Sequence, residues 1–200
     1  APRKHAARAQ GRALYPVDRP EMLVISDIDD TVLQSRVTNL LRAAQTLAFG
    51  NARTRLPFPG VAAFYQALRG GSSGSARNPL VYVSSSPWNL YDVIAEFLDL
   101  QGIPAGPVLL RDLDITLGVL SAKRHHDHKG DSIRRVMHTF PDLPVILIGD
   151  SGQQDPEIYH GIVHEFRGRV RAVYIRNVTL DDSRSAAIQA LAAEVLAAGS

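Results

Sequence analysis

Five short apolar runs, at residues 23–26, 80–83, 108–110, 145–148 and 170–175, alternate with stretches whose apolar residues recur every three or four positions. Runs of that length, rich in Val, Ile and Leu, predict buried strands. Ile133, Val136, Met137 and Phe140 stand at i, i+3, i+4 and i+7, closed by Pro141, and predict a helix. Leu90, Ile94, Phe97 and Leu98 keep helical spacing behind Ser86 and Pro87, which read as N-cap and first helical position, with Gly102 as the stop. Further helices are predicted over 61–68 behind Phe58-Pro59-Gly60, from Asp155-Pro156 to about Phe166, and from a cap at Asp182 or Ser183 through the Ala-rich C-terminus. Such alternation predicts an α/β fold, a doubly wound parallel sheet with helices on both faces. The stretch GGSSGS at 70–75 predicts a flexible loop too short to separate domains, and no repeat is present. Residues 21–200 are therefore expected to form one domain.

Composition narrows the chemistry. Of 200 residues, 45% are apolar and 21% charged, the balance of a globular chain large enough to bury a core. Cysteine is absent, so any metal must be held by oxygen or imidazole. No apolar stretch approaches the ~20 residues needed to span a bilayer. The first twenty residues carry five basic side chains (Arg3, Lys4, Arg8, Arg12 and Arg19) against Asp18 alone. This segment has no apolar core of a secretory signal and is read as a basic, solvated N-terminal extension.

Ligands of an open parallel sheet bind outside the carboxyl ends of its strands. The first run leads into Asp27, Asp29 and Thr31, and the second into Ser84, Ser85 and Ser86. The fourth leads into Gly149, Asp150 and Ser151, with Asp155 behind, and Lys129 stands before the helix that precedes that run. Right-handed winding gathers these ends on one edge. An oxygen-only acidic cluster selects a hard cation, and Mg²⁺ leaves room for a substrate phosphate. A carboxylate can itself attack phosphorus. At ~4 Å and an effective dielectric of ~20 each like-charge pair costs about 4 kcal/mol, so attack on a phosphate dianion is opposed by roughly 8. A metal ion and one ammonium reverse that sign, which gives Lys129 its place in the cluster.

The string Asp27-Ile28-Asp29-Asp30-Thr31 meets the D-x-D-x-T motif of the haloacid dehalogenase superfamily, and the serines, the lysine and the acidic pair in GDSGQQD follow in that superfamily's order. More closely, SDIDDT, YVSSSPWNLYD, HKGDSI and ILIGDSGQQDPEIY resemble the catalytic domain of the actin-patch-associated phosphatidate phosphatases, over about residues 22–177. The resemblance implies a phosphoric monoester hydrolase taking phosphatidate to diacylglycerol with Mg²⁺, and because only about residues 32–57 are open to insertion behind Asp29, no large cap domain is expected. It implies Asp27 as nucleophile and metal ligand, and Asp29 as acid then base, with its carbonyl on the metal. Thr31 would steady the loop, Ser84 or Ser85 would bind phosphate, and Lys129 would bridge phosphate and Asp27. Asp150 would be the third metal ligand, with Asp155 in its outer shell. Competing functions are a phosphatase of soluble phosphoesters or phosphoproteins and a non-catalytic phospho-receiver module, although a receiver needs no leaving-group acid at Asp29.

The expected substrate is a phospholipid or another phosphomonoester, met by a cytoplasmic monomer in peripheral contact with a membrane surface; nucleic acid is not an expected partner. Leu40, Leu41, Ala44, Leu47 and Ala48 keep helical spacing beside Arg42, Arg53 and Arg55. They suit either packing on the sheet or an amphipathic contact with lipid flanking an open site. Asp155 before Pro156 also suits a helix cap, and Asp30 a helix start. The string KRHHDHKG at 123–130 reads as a solvated basic loop rather than a transition-metal site. Trp88 reads as packing at a helix start.

Overall fold

All five predicted strands form, and they pair in the order β3-β2-β1-β4-β5 with every neighbouring pair parallel. The computed structural model describes residues 20–28, 60–111, 121–179 and 181–197, with side chains from 128 onward in the third segment. Along the chain come β1 (Leu23–Ser26), α1 (Val61–Gly70), β2 (Leu80–Pro87), a 3-10 turn (Trp88–Leu90) and α2 (Tyr91–Leu100). Then follow β3 (Val108–Arg111), α3 (Ser121–Thr139), β4 (Val145–Asp150), α4 (Asp155–Glu165), β5 (Val170–Arg176) and α5 (Asp182–Ala197).

β1 is central and buried along its whole length, because helices cover both faces of the sheet. Its alternation divides the core. Val24 packs with Val61, Tyr65, Leu80, Ile94 and Phe97 on the α1–α2 face. Leu23 and Ile25 pack with Ile133, Met137, Ile158 and Ile162 on the α3–α4 face. The chain winds from β1 outward to β3, then returns to place β4 on the other side of β1. The order therefore reverses between β1 and β4, the crevice where doubly wound sheets bind ligands.

Three predicted boundaries move. Ser86 and Pro87 belong to β2, which pairs with β3 as far as Pro87↔Arg111; Pro87 is extended, and the helical turn starts at Trp88. A Ser-Pro pair suits a strand end as well as a helix start, since proline only removes a donor. KRHHDHKG is not a loop: its backbone is part of α3. The inward stripe of that helix continues from Ile133 back to Ser132 and Lys129, all buried, and two polar members broke the apolar pattern. At α5 the cap is Asp181, one residue before the predicted pair, whose Oδ1 accepts the amide of Ser183 at 2.9 Å. The 70–75 turn is held rather than loose, for the Glu21 carboxylate accepts the Ser72 amide at 2.8 Å and its hydroxyl at 3.0 Å. α5 leans on α4 and β5 without one fully buried residue, leaving a cavity of about 310 Å³ lined by residues including Tyr159, His160, Ile175 and Leu191.

Candidate active site

Asp27 follows β1 directly and Asp150 ends β4, so the two face each other across the switch point. Asp155 opens α4 after a four-residue turn, and Lys129 reaches in from α3. All four are buried. One carboxylate oxygen each of Asp27, Asp150 and Asp155 lies within 4.8 Å of the others. The Lys129 ammonium donates to Asp27 Oδ1 at 2.7 Å and also to Asp155 Oδ1. Burial by itself lowers the pKa of this ammonium, but the charges of Asp27 and Asp155 outweigh it and hold the pKa above the ordinary lysine value. Lys129 thus pairs with two of the three clustered carboxylates.

The second oxygen of Asp155 accepts the Asp150 amide at 3.1 Å, so both of its oxygens are engaged. This close approach needs Gly149, where an added Cβ would meet the Asp155 Cβ at 2.7 Å. Asp150 Oδ1 accepts the amides of Gly152 at 2.7 Å and Gln153 at 3.1 Å. Its Oδ2 is buried and has no hydrogen-bond partner among the described residues. Burial first, then the charge of Asp155, pushes the Asp150 carboxyl up to about 6. A buried carboxylate oxygen without a donor, in a set of hard oxygen donors, fits a divalent cation.

A prediction follows for the chain without metal. The Asp150 pKa is raised on folding from 3.8 to about 6, so between those values the folded state holds more protons than the unfolded one. Stability therefore falls as pH rises through that window. Thermal melts across it should show the decline, and both saturating Mg²⁺ and Asp150→Asn should flatten it. A slope unchanged by either would contradict the arrangement.

Below the acidic centre, Ser26 Oγ donates to the Asp27 carbonyl at 2.7 Å and stands 2.5 Å from the buried Tyr65 hydroxyl. Tyr159 donates to the Ile148 carbonyl at 2.8 Å. These bonds tie the ends of β1 and β4 to the helices on either face. On β2, Ser84 and Ser86 are buried on one face while Ser85 is half-buried on the other; Ser84 Oγ accepts the Ser86 amide at 2.9 Å. Ser26 pairs with Tyr82, which sets Ser84 two residues further along toward the same edge. Trp88 is not packed: it is 45% exposed beyond the end of β2 and stacks on Tyr91 at 6.0 Å. Asp29, Asp30, Thr31 and the segment 40–55 lie outside the described residues, as do the side chains of 123–127.

One contributor has no signature in the sequence. Arg184, near the start of α5, donates to the carbonyls of Ser151 at 3.0 Å and Gln153 at 2.6 Å, and pairs with both oxygens of Glu157. It clasps the turn that carries Asp150 to Asp155. Arg184→Ala should loosen that turn and weaken Mg²⁺ binding about 10–100-fold, the loss typical of groups that orient metal ligands. Calorimetric titration of Mg²⁺ into both proteins would read it, and equal affinities would show that the clasp is idle.

Fold and site together define a doubly wound α/β domain with a buried aspartate–lysine centre at its switch point. Within that class the chain belongs to the family of the phosphatidate phosphatase APP1 catalytic domain, which matches residues 22–177. Phosphatidate phosphatase APP1 of Saccharomyces cerevisiae is 30% identical over 157 residues, 76% of this chain and 25% of that protein. The uncharacterized protein C29B5.04c of Schizosaccharomyces pombe is 28% identical over 169 residues, 82% of this chain and 26% of that protein. The chain thus spans about a quarter of the length of these relatives. A chain in the solved Pnkp1/Rnl/Hen1 complex superposes with a TM-score of 0.52 at 14% identity, covering 86% of this chain and 52% of that one, which speaks to the fold alone. Among the described residues no helix is long and apolar enough to cross a membrane.

Proposed function

We propose that the chain is a Mg²⁺-dependent phosphatase domain of haloacid dehalogenase type that hydrolyses phosphatidate to diacylglycerol through a phosphorylated Asp27. The observation that carries this reading is the burial of Asp27, Asp150 and Asp155 around the single ammonium of Lys129. Residues 21–200 would act as one catalytic unit, with the basic extension 1–20 outside it.

Asp27 and Asp150 would hold the metal through their side chains. Asp155, whose oxygens already serve Lys129 and the Asp150 amide, suits an outer position. When bound, Mg²⁺ supplies the charge that lets a carboxylate approach a phosphate dianion. In the first step a carboxylate oxygen of Asp27 bonds to phosphorus as the bond to the diacylglycerol oxygen breaks, and Asp29 gives that oxygen a proton. In the second, Asp29 takes a proton from water, which attacks phosphorus and returns Asp27 as inorganic phosphate leaves. Lys129, fixed on Asp27, holds the nucleophile in place and offsets charge on the transferring group. Ser84 or Ser85 would take a phosphate oxygen, and Thr31 would steady the loop.

The exposed Trp88–Tyr91 pair supports a lipid substrate. Amphipathic rings at the edge of a phosphate site suit the interface of a bilayer, with one side apolar and the other wet. We infer a cytoplasmic, monomeric protein that meets its substrate peripherally at a membrane surface.

The test is phosphate release, with and without Mg²⁺, from phosphatidate in mixed micelles, lysophosphatidate and a panel of soluble phosphoesters. Metal-dependent release that favours phosphatidate is expected. Preference for a soluble phosphoester would replace the lipid assignment, and release from none of them would overturn the enzyme reading.

A further inference from the structure

The cavity between α4, β5 and α5 takes no part in the acidic centre. Arg184, Ile188, Leu191 and Val195 stand at i, i+4, i+7 and i+11, a single stripe of α5, and all four are half-buried. Arg184 is engaged with the Asp150–Asp155 turn, while the other three line the cavity. Val163 of α4 and Val173 and Ile175 of β5 face them across it. Such a stripe ordinarily closes on its neighbours at the density of a protein interior. Here it spans about 310 Å³, roughly twice the ~150 Å³ of a dry apolar cavity that admits benzene. Leu196 lines the same cavity and yet is 75% exposed. The apolar lining therefore runs out to solvent and offers a way in.

Charge narrows the occupant. Arg171, at the start of β5, lines the cavity and is exposed. Among the described residues no carboxylate lies within ion-pair distance of it. The Glu194 carboxylate, by contrast, is already met by His160 at 3.0 Å. An apolar hollow with one unanswered guanidinium selects an apolar tail that ends in an anion. A carboxylate matches the planar fork of arginine through two parallel hydrogen bonds, and its one charge balances the one cation. A phosphate dianion would exceed that cation by a full charge, with Glu194 held at the cavity by His160 to repel it.

We propose that this cavity binds a single-chain fatty acid, its tail enclosed by α4, β5 and α5 and its carboxylate on Arg171. The ligand supplies the buried apolar contact that α5 lacks. It thereby steadies the helix that brings Arg184 to the turn between Asp150 and Asp155. Binding stands on the cavity alone and does not depend on the phosphatase reading.

The experiment titrates decanoate into the whole chain without metal, below the concentration at which decanoate forms micelles. Calorimetry reads the binding and amide hydrogen exchange reads its place. Wild type should take one equivalent, rise in melting temperature, and slow the exchange of α5 but not of α1 or α2. Decanol and acetate, which offer the tail and the charge separately, should each bind at least about tenfold more weakly. Arg171→Gln should weaken decanoate about 10–100-fold, the loss of a charge-assisted hydrogen bond, and leave decanol unchanged. Ala192→Phe sets a ring into the cavity from an exposed position of α5; it should abolish binding of both and keep or raise the melting temperature. Both substituted side chains are exposed in the wild type, so both variants should fold, and if one does not, the other and the wild-type titration decide. No decanoate equivalent in wild type, decanol bound as tightly as decanoate, many equivalents with exchange slowed throughout the chain, or undiminished binding by folded Ala192→Phe would each overturn the site.

Discussion

Asp27→Asn should abolish phosphate release and leave the fold standing. An amide nitrogen or oxygen does not attack phosphorus as a carboxylate does, and the substitution also removes one of the charges proposed to hold the metal. The fold survives because the new Oδ1 still accepts the Lys129 ammonium, which in the wild type sits 2.7 Å from Asp27 Oδ1. Three carboxylates around one ammonium become two, so local repulsion falls. We expect a metal-free melting temperature equal to that of wild type or slightly higher, with phosphate release at background. Acid-quenched wild type incubated with radiolabelled substrate should carry phosphate, and Asp27→Asn should carry none. Substantial turnover by the variant would exclude a covalent step at Asp27.

Lys129→Met does the opposite to the fold. Methionine matches the length and shape of the stem but takes the one ammonium away from Asp27 and Asp155, both buried. Breaking a buried pair by removing one partner costs about 3–5 kcal/mol, since the other charge stays behind without compensation. The carboxylates left behind will take up protons instead of remaining charged. We expect a large fall in metal-free stability at neutral pH, partial recovery at acidic pH, and partial recovery with Mg²⁺, which replaces some of the lost positive charge. Phosphate release should be lost even where Mg²⁺ restores the fold, because the nucleophile has lost the group that fixes it. Urea unfolding with and without Mg²⁺ separates the two effects. A variant as stable as wild type without metal would show that the ion pairs contribute nothing net.

The strands were legible because burial on both faces leaves no polar alternation: β1 reads Leu-Val-Ile-Ser and β4 opens Val-Ile-Leu-Ile. Their acidic ends were legible for the same reason, since a charge directly behind such a run stands out. The start of α3 was hidden because the stripe that faces the sheet continues through Ser132 and Lys129, polar residues that serve the site instead of the core. The 3-10 turn at Trp88 was hidden because Ser86-Pro87 fits a strand end as well as a cap. Gly149 carried a signal, a glycine inside an apolar strand, which marks close approach of another group. Arg184 carried none: its partners include two backbone carbonyls more than thirty positions away, and no pattern of side chains encodes a bond to a main-chain oxygen.

That helix has a consequence in time rather than in space. α5 has no fully buried residue, while β1 is closed on both faces. An element held by partly buried side chains such as Val195 and by the Arg184 contacts should open locally more readily than the sheet, so its amides are expected to exchange with solvent before those of β1 or β4, which must wait for global unfolding. Every such excursion carries Arg184 away from the carbonyls of Ser151 and Gln153. The lifetime of the ordered turn between Asp150 and Asp155 is then expected to follow the opening of this helix, so that the centre loosens while the sheet beneath it stays closed.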